Sequence, residues 1–143
     1  MAYDIGALSR EWFEVVWNRR DETGIARLAS PAVKSYGLGE DGKPAIGVDQ
    51  FIQFRRAFLS AFPDLKINVD DVLVDGNKTA IRLTFFGTHT GDGIGIPPTG
   101  RHFTSTAMVV VHWQDGKIVE AWNQFDATGM MRQLQAPTAK LLV

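Results

Sequence analysis

The feature that most limits the fold is a change of period near residue 66. Before it, apolar residues recur every three or four positions; after it, they alternate. Ile5, Leu8, Trp12 and Val15 or Val16 form one stripe against Arg10, Glu11 and Glu14, with Asp4 placed to cap the helix they predict. Asn18-Arg19-Arg20-Asp21 breaks that pattern, a short helix through Ile25 and Leu28 follows, and Ser30-Pro31 is expected to stop it. Val33 to Tyr36 reads as a short strand. Residues 37–47, with four glycines and Pro44, read as a loop. Asp49 is placed to cap a third helix, whose Phe51, Phe54, Phe58 and Phe62 form an aromatic stripe that Pro63 ends.

From Lys66 onward the pattern predicts Ile67 to Val74 and Lys78 to Thr90 as strands joined across Asp75-Gly76-Asn77. Phe103 to Trp113 and Lys117 to Phe125 form a second pair joined at Asp115-Gly116. Helices first and then a meander argue an α+β fold, with the N-terminal helices packed on one face of a curved, mostly antiparallel sheet. At 143 residues and 45% hydrophobic composition, residues 1–143 are expected to form a single domain. Ile81, Leu83, Phe85 and His89 share the strand face expected to meet the helices. Arg82, Thr84 and Phe86 share the other, a candidate homodimer surface.

Composition removes several functions. Fifteen basic and 16 acidic residues, spread along the chain, leave no footprint for a phosphate backbone, so no nucleic-acid partner is expected. Without cysteine there is no disulfide or thiolate nucleophile. The three histidines share no short ligand spacing, so no metal site is expected. The N-terminus has no basic segment leading into an apolar run, and no stretch approaches the ~20 apolar residues of a membrane span. A cytoplasmic protein without membrane contact is therefore expected. Gly91, Gly93 and Gly95 follow a strand and open no helix, so they are not a phosphate cradle; the Pro97-Pro98 segment after them is expected to form a lip over a pocket or a subunit contact.

The strongest candidate for proton transfer is Asp126, where an apolar strand gives way to a short helical pattern over residues 127–134. Two readings stay open. Beside Trp122 and Phe125 its charge is disfavoured, which suits a group that takes and returns a proton; as an N-cap its charge is favoured by backbone N–H groups. His112 and His89 are candidate partners that could polarise a substrate oxygen. A two-residue loop at Asp115-Gly116 points His112 away from Trp122, whereas a three-residue loop with a bulge puts both on one face. His89 could instead fix a loop, and His102 is expected to be exposed. Trp12, Phe54, Phe58, Trp122 and Phe125 could line a pocket for a hydrophobic small molecule, with Tyr36 and Asn123 supplying hydrogen bonds. Glu120 is expected to pair with Arg82.

Ala61-Phe62-Pro63-Asp64-Leu65, Gly87 to Gly91, Gly95 to Arg101, Asp115 to Glu120, Trp122 with Asp126, and Gln133-Leu134 together resemble the SnoaL-like polyketide cyclases. The resemblance implies the cone-shaped α+β barrel of the NTF2-like superfamily, with a deep pocket between helices and concave sheet. It implies ring closure by an intramolecular aldol step without a cofactor, and by motif it carries the family's catalytic aspartate onto Asp126. Gln135 departs from the glycine common after Gln-Leu, which bears on the last helix's cap. A non-catalytic binding domain, or an isomerase or hydrolase on the same scaffold, is the alternative that the residues leave open.

Overall fold

The structure, a computed structural model, describes residues 2–39 and 42–135. In chain order it contains α1 (Ile5–Trp12), a π-helical turn (Phe13–Asn18), α2 (Thr23–Leu28), β1 (Ala29–Tyr36), β2 (Ala45–Ile46) and α3 (Gly47–Ala61). Then come β3 (Lys66–Asp75), β4 (Lys78–Thr88), β5 (His102–Gln114), β6 (Lys117–Phe125) and α4 (Ala127–Gln135). The strands form one sheet in the order β2-β1-β6-β5-β4-β3, antiparallel except for the parallel pair β1–β6. Register shifts in three of the ladders bend the strands, so the sheet curls without closing. The helices pack on its concave face, over a core that includes Val16, Phe62, Phe103 and Leu134.

Asp4 caps α1 as expected, its Oδ1 accepting the Ala7 N–H at 3.0 Å. The helix then widens into the π turn, where Arg19 N–H reaches back to Glu14 O at 2.8 Å. A helix that ends inside the fold must satisfy its last carbonyls. Two arginines do so here. Arg20 donates to Trp17 O and Asn18 O, and its other Nη to Pro63 O and Leu65 O at 2.9 and 2.8 Å. Arg55 of α3 donates through Nε to Val16 O at 2.9 Å.

Three local expectations are corrected. The strand read from Val33 begins at Ala29, because Pro31 lies where the β1–β6 ladder is interrupted between Ala29 and Lys34 and need not donate. Asp49 does not cap α3: the helix starts two residues earlier, Asp49 falls in its first turn, and Gln50 Oε1 accepts the Ile46 N–H at 2.7 Å instead. Gln135 is still helical, and the cap expected after it lies outside the described residues.

The Ala61-to-Leu65 motif acts as a clasp. Asp64 accepts the Thr88 N–H at 2.7 Å and the Thr88 hydroxyl at 2.8 Å, tying the end of α3 to the end of β4. Burial alone would raise the Asp64 carboxyl; the two Thr88 bonds outweigh it and hold the group below the ordinary carboxylate range. A depressed folded-state value means stability that is present above the unfolded value and lost as pH falls through the folded one. We expect Asp64→Ala to lower stability by about 1 kcal/mol near neutrality, the site being exposed and screened. Urea titrations should show the difference vanish below the ordinary carboxylate range.

Candidate active site

Between helices and sheet lies an apolar cavity. Trp12, Phe13 and Trp17 come from α1 and the π turn, Phe51, Phe54 and Phe58 from α3, and Leu83, Phe85, Val109, Ala121, Asn123 and Phe125 from the sheet. The π turn matters here because it sets Trp17 edge-on to Phe51, Phe54 and Phe58, with ring centroids 6.1, 6.4 and 6.3 Å apart. The inner chamber holds about 110 Å³. It leads to an outer one of about 470 Å³, bordered by residues 37–39, α3, Gly93, Ile94, the end of β6 and Met130 and Met131 of α4. Leu38, Phe54, Phe58, Asn123 and Phe125 line both. A concave apolar space with few polar groups is the usual form of a small-molecule site.

Of the residues singled out in sequence, Trp12, Phe54, Phe58, Phe125 and Asn123 border this cavity. Asn123 donates through Nδ2 to Tyr36 O at 2.9 Å. Asp126 lies between Phe125 and Ala127, both of which line the outer chamber, and its own side chain is exposed. Its Oδ1 accepts the Gly129 N–H at 2.9 Å, the bond of an N-cap. Gly129 has room for this only because it lacks a side chain, since a Cβ there would stand 2.1 Å from Asp126 Oδ2.

Tyr36, His112 and Trp122 do not border the cavity, which corrects the expectation that they would. Asp115 and Gly116 form a two-residue turn with positive φ at both, and a bulge follows, so that Trp113 pairs with Ile118 but His112 with Glu120. His112 and Trp122 thus share a face, their rings 4.7 Å apart, but it is the convex face that also carries exposed Met108 and Val110. Tyr36 stacks on Trp122 there at 5.5 Å. Its hydroxyl donates to Glu120 at 2.9 Å, a bond that raises the phenol above its ordinary value. Glu120 therefore has Tyr36, not Arg82, as its partner; Arg82 reaches Asp70 at 3.9 Å.

His89 is fully buried, outside the cavity, and holds a loop. Its Nδ1 accepts the Thr99 N–H at 3.2 Å, and its backbone pairs with Arg101 O and Gly100 N. The glycines before that loop let it lie directly on α3: a Cβ on Gly91 would stand 1.9 Å from Ser60 O, and one on Gly93 2.0 Å from Ala57 O. Ile94, not Pro97 or Pro98, is the loop residue that with Gly93 borders the outer chamber. His102 is exposed, as expected, beside Thr88.

Ser9, Trp17 and Ser35 line the inner chamber and were not foreseen. Strand parity carried the signal for one of them: Val33 must face the core, which turns Ser35 inward and Tyr36 outward. Among the described residues no three acidic or histidine side chains converge on a point, and no helix is long and apolar enough to cross a membrane.

An open six-stranded sheet curled around an apolar cavity, with helices closing the concave side, defines an NTF2-like α+β protein. The SnoaL-like polyketide cyclase profile matches residues 7–134, and the chain belongs to that family. The aklanonic acid methyl ester cyclase AcmA of Streptomyces galilaeus is 39% identical over 56 residues, 39% of either chain. DnrD of Streptomyces peucetius, of the same description, is 36% identical over 63 residues, 44% of this chain and 43% of DnrD. The matched segments thus span about two fifths of these curated relatives. Among solved structures, IdmH of Streptomyces antibioticus superposes with a TM-score of 0.81 at 27% identity, covering 92% of this chain and 99% of IdmH. A SnoaL-like protein of Jannaschia sp. CCS1 superposes at 0.82 and 21% identity, over 96% and 98% of the two chains.

Proposed function

We propose that the chain is a cyclase-type catalyst that closes a ring in a hydrophobic, carbonyl-bearing small molecule by acid/base chemistry without a cofactor. Support comes from the wall of the outer chamber, which includes Gln124, Phe125 and Ala127 on either side of Asp126. Oδ1 of that carboxylate is engaged with Gly129, while Oδ2 makes no hydrogen bond among the described residues and is the oxygen open to substrate. In an intramolecular aldol step, Asp126 takes the proton next to one carbonyl, and the resulting carbanion forms a C–C bond to a second carbonyl carbon. The alkoxide so formed recovers the proton from Asp126, leaving the carboxylate as it began. The apolar walls orient the two carbonyls and keep water from the carbanion.

The names of AcmA and DnrD suggest the first compound to try, aklanonic acid methyl ester. Ring closure yields an isomer, so the readout is a new chromatographic peak of unchanged mass. A protein that binds this ester in the cavity yet converts neither it nor related diketo esters would replace the enzyme reading with a ligand-binding domain. The capping bond of Asp126 favours that second reading, since it gives the carboxylate a structural role.

A homodimer through the convex sheet face goes with the proposal. Exposed Met108 and Val110, beside the Tyr36–Trp122 stack, make a more apolar centre for it than Phe86 alone. Light scattering at micromolar concentration is expected to give twice the chain mass, and the double change Met108→Glu, Val110→Glu to halve it. A monomeric parent protein would remove the dimer.

A further inference from the structure

Two of the polar side chains that line the cavity, Ser9 and Trp113, are already taken up in one hydrogen-bond chain. The Trp113 indole N–H donates to Thr79 Oγ1 at 2.9 Å, the Thr79 hydroxyl lies 3.0 Å from Ser9 Oγ, and Ser9 donates to Ile5 O at 2.7 Å. That chain is closed: the Thr79 and Ser9 hydroxyls each give and receive, and the Ile5 carbonyl ends it as an acceptor. Two groups on the sheet wall are not so placed. Ser35 is 6% exposed and lines the inner chamber, yet its hydroxyl makes no hydrogen bond among the described residues. On the adjacent strand, Asn123 has its Nδ2 fixed to Tyr36 O, which leaves Oδ1 as an acceptor with no partner among them. The parallel register, Ser35 beside Ala121 and Tyr36 beside Trp122, sets Ser35 and Asn123 on one inward face as diagonal neighbours.

Resting on the reading of the cavity as the ligand site, we infer that Ser35 and Asn123 form a subsite that recognises a neutral hydroxyl on the ring system of the ligand. The chemistry selects that group. Oδ1 needs a donor, which a carbonyl or an ether lacks, and the Ser35 hydroxyl can donate to whatever oxygen carries that proton. A hydroxyl meets both demands at once. Among the described residues no charged side chain lines the inner chamber, so an ammonium or carboxylate would enter without a counter-charge. A site with waiting polar groups also rejects the analogue that lacks the matching one, because those groups then stay unpaired.

The test uses 2-naphthol, 2-methoxynaphthalene and 2-methylnaphthalene, with affinity read by calorimetry and by quenching of tryptophan fluorescence. In the parent protein 2-naphthol should bind about ten-fold more tightly than 2-methylnaphthalene, the worth of one to two neutral hydrogen bonds. The methoxy compound keeps the oxygen to which Ser35 can donate but not the proton that Asn123 Oδ1 accepts, and should bind between the other two. In Ser35→Ala the preference should shrink to about two-fold while the methyl compound binds at least as well as before. Equal affinities in the parent protein would overturn the subsite and leave the cavity reading intact. Binding of none of the three would remove the cavity reading and the subsite with it. A preference that survives Ser35→Ala would overturn the assignment to Ser35, and the comparison in the parent protein holds even if the variant fails to fold.

Discussion

Arg55→Ala is expected to destabilise the fold by about 3 kcal/mol or more, combining a lost packing volume with an orphaned buried carbonyl. Arg55 is 3% exposed. Its Nε holds Val16 O at 2.9 Å, and Nη1 lies 3.5 Å from Glu22, which also accepts from Arg56 at 2.7 Å. Burial draws the guanidinium below its ordinary value and the Glu22 charge restores part of that, so the pair is worth more as an anchor than as an ion pair. The anchored element is the π turn, whose wider winding presents Trp17 to the cavity. Arg55→Met separates the two contributions: it keeps most of the volume, loses the bond to Val16, and should cost about 1–3 kcal/mol. Urea denaturation gives both values, and near-ultraviolet circular dichroism should show Trp17 reoriented in each. A loss below about 1 kcal/mol for Arg55→Ala would mean that the π turn holds without it.

Why Arg55 was not legible, while the strands were, comes down to what periodicity encodes. Alternation from Ile67 onward reports burial on one sheet face, and the hairpins at Asp75-Gly76-Asn77 and Asp115-Gly116 report local chain geometry, so both can be read from a few neighbouring residues. The cap at Asp4 is local in the same way. Arg55 is inside because the Val16 carbonyl, at a helix end 39 residues earlier, needs a donor, a tertiary demand that leaves no mark on its own neighbours. The site was legible to the same limit. Phe54, Phe58 and Trp12 followed from helical stripes, whereas the face of Trp122 and His112 hung on one bulged residue, Val119, between the pairs Trp113–Ile118 and His112–Glu120, and a period-two pattern has no way to announce a bulge. The glycines at 91 and 93 were seen, but their use, a backbone laid on the carbonyls of α3, needs the helix in place.

Asp126→Asn is expected to abolish turnover, by about 10²- to 10⁴-fold, while leaving stability within about 0.5 kcal/mol. Asparagine is nearly equal to aspartate as an N-cap, and its amide oxygen can accept the Gly129 N–H as Oδ1 does, so the helix start should survive. What it loses is the ability to hold a proton between the two halves of the aldol step. Gly129→Ala then asks a different question of the same carboxylate. The added methyl would meet Oδ2 at 2.1 Å and Asp126 Cγ at 2.7 Å, so the side chain must leave its cap with its charge intact. The gain in helix propensity, about 0.5–1 kcal/mol, offsets part of the lost cap, which keeps the protein folded. If Asp126 transfers the proton, both variants lose activity, one through chemistry and the other through position, and only the second should recover part of it with small carbonyl substrates that can follow the displaced carboxylate. If Asp126 is a cap alone, Asp126→Asn turns over as well as the parent protein, and Gly129→Ala changes thermal stability without touching any rate. Steady-state rates on a diketo ester, paired with melting curves for both variants, decide between these outcomes.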